Sequence, residues 1–172
     1  PVDGIPFCFD LDDYFKRIHT LQKTAPLSVY TGVECGMQLI TDVVDKNKAL
    51  CQDKEFDYII GSLHLVDGKD PYYPSFWENQ EPAECIQTYF EKIYDNITTF
   101  HEMDSLGHLD YIVRYAPTDY KYQPEQFREI LEAILQTLIQ KDLALEINTS
   151  GFKTPLSRQN PHEKIIEWYL AL

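Results

Sequence analysis

The sequence predicts an α/β fold made of about four parallel β/α units, and three observations carry that prediction. Short β-rich runs alternate with amphipathic stretches of helical spacing. The intervening stretches are long enough to carry a right-handed crossover from one parallel strand to the next. Residues able to bind metal or move protons recur at the ends of the runs, where parallel α/β folds place their ligand sites.

In chain order, Asp10, Asp12 and Asp13 read as a solvated acidic helix start, with Asp10 or Asp12 as its N-cap. Ser28 to Glu34 is the first β-rich run, and Asp42 to Cys51 a short, weakly amphipathic helix. Tyr58 to His64 is the second run; a long loop from Asp67 to Glu81 follows, with Tyr72, Tyr73, Phe76 and Trp77. After Pro82, Ile86, Tyr89, Phe90, Ile93, Tyr94, Ile97 and Phe100 recur at three- and four-residue steps, which is a helix with one apolar face. Ser105 to His108 is the third run. Pro124 then opens a helix carrying Phe127, Ile130, Leu131, Ile134, Leu135, Leu138 and Ile139. Ala144 to Asn148 is the fourth run and Pro161 to Leu170 a final, weaker helix. Four helices and four strands are thus expected, with no linker or charge run dividing residues 1–172.

The 172 residues carry a net charge of −13 and are 44% hydrophobic, enough for one cored domain without disulfide or metal staples. That composition excludes a disordered or low-complexity chain. An acidic balance with pI near 4.6 excludes a phosphate-backbone binder, because affinity for nucleic acid comes from Lys and Arg displacing counterions. No apolar run approaches the roughly 20 residues of a membrane span, and no signal segment opens the chain, so a soluble cytoplasmic protein is expected. Cys8, Cys35, Cys51 and Cys85 lie far apart with no C-x-x-C and read as free thiols in a reducing compartment.

The strand ends hold Glu34 in Gly-Val-Glu-Cys-Gly, His64 in Gly-Ser-Leu-His, His108 in Leu-Gly-His-Leu-Asp, and Glu146 with Asn148 in Leu-Glu-Ile-Asn-Thr-Ser-Gly. A single histidine is most simply a hydrogen-bonded structural residue. Two histidines and a glutamate at equivalent strand ends instead match the needs of Zn, Mn or Fe in a hydrolase: neutral imidazole nitrogens and a carboxylate able to bridge ions. Gly36, Gly61, Gly107 and Gly151 lie near those ends, fitting either close backbone packing there or simple loop punctuation. His19, His101 and His162 fall on or beside helices and read as surface residues.

Arg114, six residues after His108, would enter the loop above the strand end, where a guanidinium grips a phosphate bidentately or else makes a surface ion pair. Lys153 and Arg158 are weaker candidates for the same work. The sequons at Asn96 and Asn148 read as chance matches. No Walker loop, G-x-G-x-x-G, G-x-S-x-G or H-E-x-x-H occurs, which leaves metal-assisted chemistry or simple binding.

Five segments together carry a resemblance. They are Phe-Asp-Leu-Asp-Asp-Tyr-Phe (9–15), Gly-Val-Glu-Cys-Gly (32–36), Phe-Asp-Tyr-Ile-Ile-Gly-Ser-Leu-His-Leu-Val-Asp-Gly-Lys-Asp (56–70), Gly-His-Leu-Asp-Tyr-Ile-Val-Arg-Tyr (107–115) and Leu-Glu-Ile-Asn-Thr-Ser-Gly-Phe (145–152). The chain resembles the PHP-family histidinol-phosphatases over nearly its whole length. The resemblance implies part of a distorted (β/α)7 PHP barrel with a three-metal cluster at its top, and hydrolysis of L-histidinol phosphate in histidine biosynthesis. Glu34 would be the bridging carboxylate, His64 and His108 metal ligands, and Arg114 a substrate-phosphate arginine. Lys153 stands where the family often has arginine, keeping the charge but losing the bidentate fork. The family's opening His-x-His and closing Asp-x-His are not in these residues, so the chain reads as the middle of the enzyme, an incomplete barrel that would be inactive alone. Its open sheet edges would pair with a second copy to give a homodimer or swap elements with it, or else the segment is the ordered part of a longer protein. The rival readings are a PHP phosphoesterase acting on nucleotides and a catalytically inactive scaffold.

Overall fold

Four strands, β1 (Gly32–Gly36), β2 (Tyr58–Ser62), β3 (Ser105–Leu106) and β4 (Ala144–Leu145), pair in parallel in sequence order. They form the centre of a computed structural model that describes residues 9–53 and 56–172; Cys8 lies outside the described residues. The helices are α1 (Leu11–Thr24), α2 (Thr41–Asp53), α3 (Pro74–Trp77), α4 (Pro82–Thr99), α5 (Arg128–Gln140) and α6 (Glu163–Ala171). The four expected helices are present, α1 follows the acidic helix start at Asp10 to Asp13, and α3 is added to them. Asp10 caps α1 as expected, its carboxylate accepting from the Asp13 N–H at 2.9 Å. The third turn of the long 67–81 loop winds into α3 because Pro74 supplies a ready-set first helical position.

The β1–β2 register places Glu34 beside Ile60 and Gly36 beside Ser62. β3 and β4 contribute only two residues each to the regular ladder, fewer than the sequence runs suggest. Their hydrogen bonding nonetheless continues past the strand ends, from Gly107 N–H to Gly61 and from Glu146 N–H to Leu106. His108 breaks the extended path: its φ of +23° turns the chain into a 3-10 helix over Tyr111–Tyr115.

The core lies on the β2–β3–β4 side of the sheet. From α4, Ile86, Tyr89, Phe90, Ile93 and Ile97 are buried; from α5, Leu131, Ile134, Leu135 and Leu138 meet them. These are the residues that the three- and four-residue spacing selects. α1, in contrast, has no buried residue and touches β1 through Tyr14, whose hydroxyl hydrogen bonds the Gly32 carbonyl and N–H at 2.8 and 3.0 Å. The Asn96 sequon is closed to modification in the folded chain, since Asn96 is buried and its amide donates to the Lys92 carbonyl. No helix of the described residues is long and apolar enough to cross a membrane.

Candidate metal centre

Parallel pairing brings residues far apart in sequence to one edge of the sheet. Glu34 projects from β1, and His64 and His108 each lie two residues beyond the ends of β2 and β3. His108 Nε2 lies 3.1 Å from Glu34 Oε1, His64 Nε2 lies 3.2 Å from the same oxygen, and the two Nε2 atoms are 3.1 Å apart. Three electron-rich atoms thus point at one place, where protons alone cannot satisfy all three contacts. Bonds of about 2.1 Å from these atoms to a common divalent ion would give ligand separations of this size, so the trio fits such an ion. It is the one group of three or more potential ligands among the described residues.

Hydrogen bonds to His108 and then His64 hold the Glu34 carboxyl well below the usual carboxylate range, outweighing the upward push of burial. An ionised Glu34 across the physiological range is what a metal-bridging oxygen requires. The local backbone is shaped for the trio. A Cβ on Gly107 would overlap the Ser62 hydroxyl and crowd the Ile60 side chain, so only glycine lets β3 run this close to β2 immediately before His108. Gly36 meets nothing and serves as simple punctuation. The positive φ of His108 is held from both sides. Its N–H donates to Glu146 Oε2 at 2.7 Å and its carbonyl accepts from the Tyr111 N–H at 2.7 Å. Glu146 therefore supports a ligand's backbone and stands outside the trio. Tyr89 does the same for His64, its buried hydroxyl donating to the Leu63 carbonyl at 3.0 Å.

Tyr111 covers the imidazoles, its ring centroid 5.1 Å from that of His64 and 4.8 Å from that of His108. Burial, reinforced by the neighbouring Tyr115, pushes the Tyr111 pKa well above that of an ordinary phenol, so its hydroxyl stays protonated. Tyr111, Tyr115 and Tyr72 then run edge to face in a row leading away from the trio.

Arg114 lies one turn further along the same 3-10 helix, with its guanidinium 5.5 Å from the Tyr111 centroid. Its Nε donates to Asn160 Oδ1 at 2.6 Å and its terminal nitrogen to Asn148 Oδ1 at 3.0 Å. Arg158, a weaker candidate from sequence, donates through one terminal nitrogen to the fully buried Asp110 at 3.1 Å and to the Gln159 carbonyl at 2.8 Å. Lys153 is exposed at the end of the 3-10 helix Thr149–Lys153. His162, expected at the surface, is half-buried instead: its Nδ1 caps α6 by accepting from the Lys164 N–H, and its own N–H donates to Asp110. Sequence reasoning missed Asp110 and Asn160. Asp110 sat within the Gly-His-Leu-Asp segment without a role, and nothing local marks Asn160.

The fold and site define a class: a parallel α/β domain with a His, His, carboxylate centre at its strand ends. The chain belongs to the PHP family, whose domain model matches residues 3–150. It is 32% identical over 150 residues to a probable histidinol-phosphatase of Clostridium acetobutylicum, covering 87% of this chain and 56% of that protein. It is also 32% identical over 160 residues to the histidinol-phosphatase of Lactococcus lactis, covering 91% of this chain and 59% of that protein. The crystal structure of the Lactococcus lactis histidinol phosphate phosphatase, complexed with zinc, L-histidinol and phosphate, superposes with TM-score 0.87 at 30% identity, over 98% of this chain and 65% of that one. The chain thus spans less than two thirds of the length of these relatives.

Proposed function

We propose that the protein carrying this chain is a metal-dependent phosphomonoester hydrolase that converts L-histidinol phosphate and water to L-histidinol and phosphate. The observation that carries this is the convergence of Glu34, His64 and His108 within 3.1–3.2 Å at the strand ends. Support comes from relatives named for that activity and from the zinc, L-histidinol and phosphate in the Lactococcus lactis structure. Zinc, manganese or iron would suit the trio, and the relatives' greater length leaves room for further ligands that would make the centre trinuclear. The thiols of Cys35, Cys51 and Cys85 are free, which fits the reducing cytoplasm.

Divalent ions at this centre would supply Lewis acidity toward the phosphoryl oxygens and a water of lowered pKa. The chain's own residues do the rest. His64 and His108 present Nε2 to the centre, and Glu34, kept ionised by their hydrogen bonds, holds a negative charge beside them. Arg114 is held in one orientation by Asn148 and Asn160 and would grip the phosphoryl oxygens as their charge grows. Lys153 would add a second, mobile positive charge. Tyr111 shields the imidazoles on one side, which limits water there and strengthens each electrostatic contact. The reaction forms a bond from water oxygen to phosphorus and breaks the bond to the alcohol oxygen, which leaves with a proton.

Phosphate release by the metal-loaded full-length protein, measured on L-histidinol phosphate and on a panel of nucleoside monophosphates, tests the substrate. The expected result is a preference for L-histidinol phosphate of at least about a hundredfold in kcat/KM. Faster turnover of any nucleotide would replace this reading with the nucleotide phosphoesterase one.

A further inference from the structure

Arginines inside folded proteins commonly meet carboxylates, and a carboxylate contact neutralises the charge that an anionic ligand needs. Arg114 has two carboxylates nearby and touches neither among its hydrogen bonds. Asn148 stands between Arg114 and Glu146: its Oδ1 accepts from the guanidinium at 3.0 Å, and its Nδ2 faces the two Glu146 oxygens at 3.3 and 3.4 Å. Asn160 stands in the same way between Arg114 and Asp110. Its Oδ1 accepts from Nε at 2.6 Å, and its Nδ2 donates to the Asp110 carboxylate and to the Asp110 carbonyl at 3.3 Å.

The chemistry of the neighbours fixes both amide orientations. Ionised carboxylates and backbone carbonyls only accept, so the NH2 ends face Glu146 and Asp110, and the guanidinium only donates, so the oxygens face Arg114. Asn148 Oδ1 also accepts from the Ser150 N–H and hydroxyl. The two asparagines are tied to each other by reciprocal backbone hydrogen bonds of 2.7 and 2.9 Å, forming an isolated antiparallel bridge. Asp110, fully buried, spends its carboxylate on Arg158, Asn160 and the His162 N–H, and Glu146 spends Oε2 on the His108 N–H. Both carboxylates thus have partners other than Arg114.

We propose that Asn148 and Asn160 are positioning residues that act as paired amide spacers. They orient Arg114 while preventing Glu146 and Asp110 from neutralising it, and so keep a full positive charge for a phosphate dianion beside the metal centre. The proposal rests on the assignment of Arg114 to the phosphoryl group and adds the device that keeps that arginine free. Asparagine is required rather than aspartate, although the two are nearly isosteric, because aspartate would itself become the counterion.

The test is titration calorimetry of inorganic phosphate into the metal-loaded full-length protein, read as Kd, for wild type, Asn148→Asp, Arg114→Ala and the double variant. Asn148→Asp should weaken phosphate binding at least about tenfold, the size of one lost charge-assisted contact, with unchanged metal content. In the Arg114→Ala background the same substitution should weaken binding by a clearly smaller factor, since only the repulsion between the new carboxylate and phosphate remains once the charge it cancels is gone. A structural role alone would give equal losses in both backgrounds, and that result, or an unchanged Kd in Asn148→Asp, overturns the proposal. Should Asn148→Asp fail to fold, Asn148→Leu serves in the same cycle: it removes the acceptor without adding charge, so its loss should be smaller than tenfold and still vanish without Arg114. Unchanged phosphate affinity in Arg114→Ala overturns both the spacers and the Arg114 assignment. Tight phosphate binding that depends on Arg114 and Asn148, in a protein that does not hydrolyse L-histidinol phosphate, would leave the spacers standing and refute the substrate alone.

Discussion

At the residue scale the proposed metal centre would depend on three side chains and on the contacts that aim them. Alanine at His64 or His108 removes one ligand of the trio. The full-length variants should lose bound transition metal by elemental analysis and at least about a hundredfold of activity. Glu146→Ala should act differently. It removes the acceptor for the His108 N–H, at a residue whose positive φ needs that support, and should cost about 1–2 kcal/mol in urea unfolding. Glu34, His64 and His108 were legible in the sequence because strand-end placement in a parallel sheet makes residues tens of positions apart converge. Asp110 and Asn160 were not, because a buried hydrogen-bonding role has no periodicity: Asp110 lay in the Gly-His-Leu-Asp segment with nothing to show its partners, and Asn160 lay in no motif. Their meaning lies in which partners are acceptors and which are donors, and only the folded arrangement shows that.

At the element scale the α4 and α5 faces carry the core, and Leu131→Ala should cost about 2–5 kcal/mol, the loss expected for a fully buried leucine. Asp57, just before β2, ties that strand to the start of β1. Its Oδ2 accepts from the Thr31 N–H at 2.6 Å and from the Thr31 hydroxyl at 2.8 Å. The backbone bond first, and the hydroxyl second, lower the Asp57 pKa below its ordinary value. A carboxyl lowered by folding stabilises the native state above its unfolded pKa, and that contribution disappears as pH falls through the folded value. The urea midpoint of wild type should therefore exceed that of Asp57→Asn at about pH 7, and the gap should close toward about pH 2. Helices α4 and α5 were readable from spacing because their apolar faces are wide and complete. α1 was signalled only by its acidic start, since its apolar face is short and only partly buried, with Tyr14 and Phe15 packing on Phe56. The short β3 and β4 reflect the bends that aim His108 and the loop after Glu146, which a run of β-forming residues does not reveal.

At the scale of the whole molecule, the α4–α5 interface is buried, while β1 and β4 are the sheet's edges among the described residues, with Leu27 and Tyr30 exposed ahead of β1 and Ile147 and Phe152 exposed after β4. Hydrogen exchange should therefore be fastest in α1 and slowest in α4 and α5. In the isolated 172-residue chain these edges should pair with a second copy, seen as a dimer by light scattering; a monomer at every concentration would exclude that pairing. The acidic composition remains compatible with a phosphate ester because the positive charge is local, in Arg114 and in the ions the trio would hold. The most direct test of the account is phosphate release from L-histidinol phosphate by the full-length protein, followed through chelation and re-addition of zinc, manganese or iron. Release should vanish on chelation and return with metal in wild type, and fail to return in His108→Ala. Hydrolysis that survives chelation, or that His108→Ala retains in full, would contradict it.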